Sequence, residues 1–169
     1  MPKTLILIPS RMAATRLPGK PLLKINNLSI ISHVVKKAKK TKIGRVIVCT
    51  EDQLILDDVI KNGGEAILTR NSHKSGTDRI FEAYKKLNIK NVDYILNLQG
   101  DEPAIDENDI INLNNMMIKT NSNIGTMGAE IKNQNFFSNE NIVKVKTKEK
   151  LNDKNFSLAL SFQRNHVLK

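Results

Sequence analysis

Short apolar runs alternate with segments of helical periodicity along most of the chain. Residues 5–8, 46–49, 66–68 and 92–98 are rich in strand-forming side chains, and the first of these runs ends at Pro9. Runs this short and this apolar are typical of strands that are buried on both faces. The pattern therefore predicts four buried strands, the first stopping at the proline.

Four further segments carry apolar residues at helical spacing. They cover residues 30–38, 54–60, 80–87 and 110–118. Lys36 and Lys37 in the first segment, and Lys39 and Lys40 directly after it, face away from the apolar side. Asp106 precedes the last segment and is a candidate N-cap or first-turn acid. Strands and amphipathic helices thus alternate through the first two thirds of the chain.

The late part of the chain has a different pattern. Residues 124–131, 142–147 and 157–162 are predicted to be strands without helices between them, so they can pair in antiparallel fashion. The Asn-rich segments 112–123 and 133–141 are interpreted as loops.

This order of elements predicts an α/β fold. Alternating strands and helices indicate a mostly parallel, doubly wound sheet, here followed by late antiparallel strands. We find no repeat, low-complexity tract or linker, and 169 residues fit one domain. We therefore expect a single domain over residues 1–169.

The chain has a formal net charge of +10, which raises the possibility of a nucleic-acid partner. Most of the 27 basic side chains are lysines, and aromatic residues make up only 4% of the sequence. Nucleic-acid sites usually add arginines and stacking aromatics. We favour a Lys- and Asn-rich codon bias as the source of the charge and expect no nucleic acid as partner, while a basic nucleic-acid-binding protein remains an alternative.

The single cysteine, Cys49, cannot form an internal disulfide, which suits a reducing compartment. It lies in an apolar run and is interpreted as a buried, unreactive thiol rather than a nucleophile. No apolar run is long enough for a signal peptide or a membrane span. We expect a cytoplasmic protein without membrane insertion.

A polar loop of unusual content follows each of the four predicted early strands. Because ligands bind beyond the carboxyl ends of the strands in open α/β sheets, these loops should meet at one edge. The loops are residues 10–20, 50–52, 70–79 and 99–103.

The first loop brings three cations, Arg11, Arg16 and Lys20, directly after a buried strand. Such a loop can bind the phosphates of a nucleoside triphosphate through charge-assisted hydrogen bonds. Gly19 allows close approach of the backbone, but Pro21 stands where a Walker loop needs Ser or Thr. On charge alone, a solvated basic loop explains the residues equally well.

The fourth loop places Asp101 and Glu102 directly after a predicted strand. A carboxylate there can hold Mg²⁺, which takes few protein ligands and several phosphate oxygens. An ordinary acidic turn before Pro103 is the alternative. Opposite a triphosphate loop, the metal interpretation becomes the stronger one.

The third loop precedes a predicted helix, and Ser75 or Thr77 can serve simply as its N-cap. His73 has no partner at a spacing typical of metal ligands, so we do not expect a zinc site.

These loops carry ordered motifs that resemble the 3-deoxy-manno-octulosonate (Kdo) cytidylyltransferases, also called CMP-Kdo synthetases. The family pattern I-P-A-R-Y-x-S-T-R-L-P-G-K-P-L is matched at residues 8–22, H-x-S-G-T-[DE]-R at 73–79 and Q-G-D-E-P at 99–103. Weaker matches cover 141–145 and 159–164. The first motif departs from the pattern with Ser10 for Ala, Met12 for Tyr and Ala14 for Ser.

The resemblance implies a nucleotide-diphospho-sugar transferase-like fold, CTP and Kdo as substrates, and Mg²⁺ as cofactor. It implies catalytic roles for Arg11, Lys20 and Asp101, with Asp101 as the metal ligand. The implied nucleotide-binding residues are Ser10, Arg11, Arg16, Lys20, Ser75, Gly76, Thr77 and Arg79. The implied sugar-binding residues are Gln99 and Arg164.

The implied reaction transfers CMP from CTP to Kdo and releases pyrophosphate, as a step of lipopolysaccharide biosynthesis. The family pattern continues beyond Arg164 with a dimerisation and sugar-binding part, so we expect this nucleotidyltransferase domain to lack that part and its homodimer to be uncertain. The alternatives are a CMP-sialic-acid-type synthetase and a truncated remnant that binds CTP without turnover.

Overall fold

The structure is a computed structural model that describes residues 3–13, 17–152 and 155–164. The chain divides into two compact units, Met1–Asn114 and Asn115–Lys169. The strands are β1 (Thr4–Ser10), β2 (Lys24–Ile25), β3 (Leu28–Ser29), β4 (Gly44–Thr50), β5 (Ala66–Leu68), β6 (Tyr94–Asn97), β7 (Lys144–Thr147) and β8 (Ala159–Gln163). The helices are α1 (Ile30–Lys40), α2 (Gln53–Lys61), α3 (Gly76–Leu87) and α4 (Glu107–Thr120), with short 3₁₀ helices at Lys20–Leu22 and Gln134–Phe136.

The first unit is built on a four-stranded parallel sheet. Its strand order is β5-β4-β1-β6, and every neighbouring pair is parallel. Ile6 in the central strand β1 pairs with Val46 on one side and Leu96 on the other. The predicted α/β fold with a mostly parallel sheet is confirmed.

Both faces of this sheet are covered by helices. On one face, Ile6 and Ile8 pack with buried residues of α1, α2 and α4, among them Val34, Ile55 and Ile110. On the opposite face, alternate residues of β1 and β4 pack against α3. Side chains alternate between the two faces of a strand, so one apolar run supplies both cores. The sheet is therefore doubly wound.

Side chains cap three of the helices at their N-terminal ends. The hydroxyl groups of Ser29 and Ser75 accept hydrogen bonds from backbone N–H groups at the starts of α1 and α3. The carboxylate of Asp106 accepts a hydrogen bond from the backbone N–H of Asn108, at 2.8 Å, just inside α4. The prediction that Asp106 caps this helix is confirmed.

The second unit contains an antiparallel pair, β7 and β8, in which Val145 pairs with Phe162. The buried ammonium group of Lys144 donates to the carbonyl oxygens of Asn139 and Arg164, at 2.7 and 2.5 Å. The late antiparallel strands are thus confirmed at two of the three predicted positions.

Three sequence predictions were wrong in detail. The first strand does not stop at Pro9, because the proline pairs in register with Cys49 and the strand runs on to Ser10. Residues 124–131 form no strand, since none of the described strands pairs with them. The Asn-rich segment 112–123, interpreted as a loop, overlaps the helix predicted over 110–118; that helix is confirmed and runs on to Thr120.

A short hairpin was missed altogether. Strands β2 and β3 pair around Asn26 and Asn27, which adopt φ values of 47° and 64°. Asparagine tolerates this left-handed conformation better than most residues, and two such residues in succession favour a tight hairpin turn. Within the described residues, no helix is both long enough and apolar enough to span a bilayer.

Candidate functional site

The loops that follow β1, β5 and β6 line one cleft of about 320 Å³ in the first unit. This volume lies in the range of small-molecule sites, about 300–1,000 Å³. The carboxyl ends of parallel strands meet at one edge of the sheet, which is why segments distant in sequence converge there. The cleft is lined by Pro9, Ser10, Arg11, Lys20, Pro21, His73, Lys74, Ser75, Gly76, Arg79, Gln99, Gly100 and Asp101.

Backbone bonds close the first loop and fix the position of Lys20. The N–H of Gly19 donates to the carbonyl oxygen of Met12 at 3.1 Å, and Gly19 has a φ of 72°, which glycine adopts without strain. The 3₁₀ helix then begins at Lys20 with the buried Pro21 in its first turn. The carboxylate of Asp52 accepts from the N–H of Met12 at 2.8 Å, so the second loop supports the first from outside the cleft.

Lys20 and Asp101 form an ion pair within the cleft. The ammonium nitrogen of Lys20 lies 2.6 Å from Oδ2 of Asp101, and their side chains are 32% and 52% exposed. Arg11 and Lys74 are exposed at the same cleft. The cleft therefore carries an excess of positive charge around one carboxylate.

The start of α3 lies directly against the end of β1. A Cβ atom at Gly76 would lie 3.1 Å from Cγ of Pro9, a spacing that leaves no room for a larger residue without displacement. Ser75 caps α3, with its hydroxyl oxygen accepting from the N–H of Asp78 at 3.1 Å. The capping role considered for Ser75 is confirmed, and the residue also lines the cleft.

Arg79 is held inside the wall of the cleft rather than projecting as a free cation. Its side chain is 3% exposed, and one guanidinium nitrogen pairs with Glu51. The other donates to Oγ1 of Thr69 at 2.6 Å and to the carbonyl oxygen of Arg70 at 3.3 Å. A buried guanidinium paired in this way joins the second and third loops.

Glu82 is a second buried anchor on α3. Its carboxylate accepts hydrogen bonds from the ammonium group of Lys86 at 2.7 Å, from the imidazole of His73 and from the backbone N–H of Arg70 at 3.1 Å. The bond from Lys86 is the largest cause that holds the pKa of Glu82 at about 2; burial opposes the shift, and the bonds from His73 and Arg70 add to it. Glu82 is therefore ionised at neutral pH.

Ser10 lines the cleft at the end of β1 and is buried. Within the described part of the chain, its enclosed hydroxyl oxygen has no hydrogen-bond partner. Cys49, in the neighbouring strand, is also buried, and burial raises the pKa of its thiol to about 12 against the opposing effect of Arg79. The thiol is thus unreactive at neutral pH, as the sequence predicted.

The structure brings most of the predicted site residues to this one cleft: Ser10, Arg11, Lys20, Ser75, Gly76, Arg79, Gln99 and Asp101. Thr77 lies in the first turn of α3 and is not among the lining residues. Arg16 lies outside the described residues. Arg164 belongs to the second unit, where its guanidinium donates to the carbonyl oxygen of Glu140 at 3.3 Å.

Sequence reasoning missed the residues that hold the walls of the cleft, namely Glu51, Asp52 and Glu82, and gave His73 no binding role. One signal was available for Glu82. It follows Arg79 by three residues and precedes Ala83 on the buried face of α3, so a charged side chain there needs a partner.

Comparison with known proteins decides the family. The sequence profile of the family described as Cytidylyltransferase matches residues 5–168. The chain belongs to the cytidylyltransferase family. The match covers almost the whole sequence, including every loop that lines the cleft.

Curated relatives of this chain carry the family name that the motifs indicated. The 3-deoxy-manno-octulosonate cytidylyltransferase of Nitrobacter winogradskyi is 47% identical over 144 residues, which cover 85% of this chain and 57% of that protein. The protein of the same name from Thermodesulfovibrio yellowstonii is 44% identical over 170 residues, covering 97% of this chain and 64% of its own length. The resemblance stated from the motifs is confirmed, and the chain spans 57% to 64% of the length of these two relatives.

Solved structures of cytidylyltransferases share the fold. A CMP:2-keto-3-deoxy-manno-octonic acid synthetase complexed with CTP matches with a TM-score of 0.79 and 34% identity, over 96% of this chain and 64% of that chain. A cytidylyltransferase from Leptospira borgpetersenii matches with a TM-score of 0.61 and 30% identity, over 73% and 52% of the two chains.

Proposed function

We propose that this chain carries the nucleotide-binding site of an enzyme that transfers CMP from CTP to Kdo, giving CMP-Kdo and pyrophosphate. The observation that carries the proposal is the placement of Lys20 beside Asp101 in a basic cleft, in a member of the cytidylyltransferase family. The relatives at 44% and 47% identity are named for this sugar, and one solved relative holds CTP.

The cations of the cleft supply phosphate binding in this proposal. Lys20 is held at the start of its 3₁₀ helix, and Arg11 follows the end of β1, so both approach a ligand from fixed backbone. Each charge-assisted hydrogen bond to a phosphate contributes about 1.5–3 kcal/mol. Arg79 acts by holding the wall, because its guanidinium is already paired with Glu51.

Asp101 is the residue that would hold Mg²⁺. Among the described residues, no three His, Cys, Asp or Glu side chains come close enough to form a metal site by themselves. Mg²⁺ is commonly bound by one or two carboxylates together with substrate phosphates, so a single exposed carboxylate beside phosphate-binding cations fits this ion. When bound, Mg²⁺ would neutralise charge on the phosphates and orient them.

The transfer needs one bond formed and one broken. The anomeric hydroxyl oxygen of Kdo forms a bond to the α-phosphorus of CTP, and the bond from that phosphorus to the bridging oxygen of the β-phosphate breaks. The hydroxyl proton passes to solvent and pyrophosphate leaves. Lys20 and Arg11 would stabilise the charge that develops on the departing phosphates, which is the main form of catalysis in such transfers.

Gln99 is proposed to bind the sugar. Arg164 is proposed to bind the carboxylate group of the sugar. Gln99 is exposed at the cleft, next to the buried Gly100. The remaining features implied by the resemblance are proposals too: a cytoplasmic enzyme of lipopolysaccharide biosynthesis that acts as a homodimer.

A second candidate is CTP binding without turnover. It is favoured by one observation, namely that the cleft collects Arg11, Lys20 and Asp101, whereas Arg164, proposed for the sugar, belongs to the second unit. Both candidates predict that CTP binds in the same cleft. They differ in whether addition of Kdo causes the release of pyrophosphate.

The test is pyrophosphate release by this chain from CTP, Kdo and Mg²⁺, with a sialic acid in place of Kdo as a parallel reaction. Kdo-dependent release supports the proposed transferase. CTP binding without release supports the second candidate, and faster release with the sialic acid would contradict the assignment of Kdo.

A further inference from the structure

The third loop forms a wall of the cleft and is tied to α3 by one carboxylate. Residues 69–75 connect β5 to α3 and contribute His73, Lys74 and Ser75 to the lining. Glu82, two turns into α3, reaches back to this loop at its beginning and at its centre. It accepts from the N–H of Arg70 at 3.1 and 3.3 Å and from Nε2 of His73.

These contacts fix the imidazole of His73. The ring is 13% exposed and the Glu82 carboxylate 9% exposed, so the bond between them is shielded from solvent. Neighbouring bonds from Arg79 to Thr69 and to the carbonyl oxygen of Arg70 hold the start of the same loop. The backbone and the imidazole are therefore anchored to one helix.

The ionisation of Glu82 decides which nitrogen of His73 carries hydrogen. A carboxylate can only accept, so Nε2 of His73 must donate to it. With its pKa at about 2, Glu82 remains a carboxylate throughout the neutral range. In a neutral imidazole the hydrogen then lies on Nε2, and Nδ1 is left as an acceptor.

We propose that Glu82 is a positioning residue of the nucleotide cleft, because it orients His73 with Nε2–H on its carboxylate and so presents the Nδ1 edge to the bound nucleotide. The proposal rests on the proposed function for the identity of the nucleotide. The orientation of the imidazole follows from the described contacts alone. Glu82 does not line the cleft and acts on the ligand through His73. Carboxylates that orient metal-bound histidines act in the same indirect way.

Replacement of Glu82 by glutamine separates this role from a general structural one. Glutamine has nearly the same shape and can still accept from the N–H of Arg70. Lys86 and the N–H of Arg70 both donate to Oε1, so the glutamine oxygen would take that position and its NH2 group would face His73. Nε2 of His73 would then accept, and the imidazole would carry its hydrogen on Nδ1. Glu82→Gln thus reverses the donor and acceptor edges of His73 while the fold stays in place.

The decisive measurements are the imidazole ¹⁵N shifts of the free protein and the CTP dissociation constants of the wild type and four variants. The variants are Glu82→Gln, His73→Ala, the combination of the two, and Lys86→Met. We expect the Nε2–H tautomer in the wild type and the Nδ1–H tautomer in Glu82→Gln, with CTP binding weakened roughly tenfold by the lost hydrogen bond. In a His73→Ala background, Glu82→Gln should change the dissociation constant by less than about twofold, because both substitutions then act on one contact.

Lys86→Met is the matched control, since Lys86 bonds the same carboxylate from the next turn of α3, outside the cleft. It should lower the melting temperature but keep the tautomer and the CTP affinity. An Nδ1–H tautomer in the wild type, or a tenfold effect of Glu82→Gln that persists without His73, would overturn the inference.

The readouts also separate this inference from the proposed function. If the wild type does not bind CTP, the proposed function fails, and the tautomer of the free protein still decides whether Glu82 orients His73. If CTP binds and all four variants bind it equally, the inference fails alone. Should Glu82→Gln not fold, the wild-type tautomer and the affinity of His73→Ala decide, and an unchanged affinity overturns the inference.

Discussion

The ammonium nitrogen of Lys20 lies 2.6 Å from a carboxylate oxygen of Asp101, although the two residues are 81 positions apart in the sequence. The sequence led us to expect these groups on opposite sides of a crevice, and the structure shows them in direct contact. In the proposed function, a nucleotide with its metal would exchange this pair for two new ones, Lys20 with phosphate and Asp101 with Mg²⁺.

The first prediction concerns Asp101→Asn. We expect Mg²⁺-dependent turnover to be lost, because the amide cannot replace the carboxylate on the metal. Without metal, CTP should bind somewhat more tightly than to the wild type, since Lys20 no longer has an intramolecular partner. An exposed ion pair contributes about 0–1 kcal/mol, so the gain should be at most about fivefold and the melting temperature should hardly move. A large loss of thermal stability would instead make Asp101 a structural residue.

A second prediction concerns Lys20→Ala. Loss of one charge-assisted hydrogen bond of about 1.5–3 kcal/mol should weaken CTP binding by roughly 10- to 150-fold, with a much smaller effect on the KM for Kdo. Lys24→Ala is the control, since Lys24 is an exposed lysine of β2 that does not line the cleft. A larger effect on Kdo than on CTP would move Lys20 to the sugar.

Ser10→Ala is expected to stabilise the protein. The hydroxyl group of Ser10 is enclosed and has no partner among the described residues, and an unpaired buried hydroxyl costs about 1–3 kcal/mol. Its removal should raise the melting temperature by roughly 2–12 °C, since 1 kcal/mol corresponds to about 2–4 °C in a chain of this size. Ser32→Ala should have the opposite effect, because the buried hydroxyl of Ser32 donates to Asp58 at 2.9 Å. A fall in the melting temperature of Ser10→Ala would show that the hydroxyl has a partner.

Stability should depend on pH through Glu82. Its pKa is about 2 in the folded protein, below the ordinary value of 4.5, so its ionised form favours the folded state. This contribution is complete above pH 4.5 and is lost as the pH falls towards 2. Glu82→Gln lacks it at every pH. Urea denaturation of both proteins between pH 7 and pH 3 should show the wild type more stable by a margin that shrinks with falling pH, and a constant margin would contradict the assignment.

The positions of the cleft residues could be predicted because parallel strands deliver their loops to the same edge of a sheet. Buried strands were visible as apolar runs, and the loops after two of them supplied Arg11, Lys20 and Asp101 to the cleft. No detailed knowledge of side-chain packing was needed for that step. The functional roles of these residues stay predictions.

Pairings between side chains could not be predicted in the same way. The nucleotide-binding role expected of Arg79 stays a prediction, but its buried pairing with Glu51 was not expected, since it depends on how α3 is rotated on the sheet. Asn114 lies where the predicted helix over 110–118 overlaps the Asn-rich segment interpreted as a loop. In the structure it is buried within α4, and its side-chain oxygen accepts from the hydroxyl of Thr4 at 2.6 Å. Tertiary contacts of this kind override the local preference of asparagine.

Calorimetric titration of CTP into this chain in the presence of Mg²⁺, repeated with Lys20→Ala, tests the central claim most directly. We predict saturable binding at one site per chain, weakened by the substitution and independent of any sugar. A chain that is folded by circular dichroism and yet gives no heat with CTP, or binds it equally well without Lys20, would contradict the claim that this cleft holds the nucleotide.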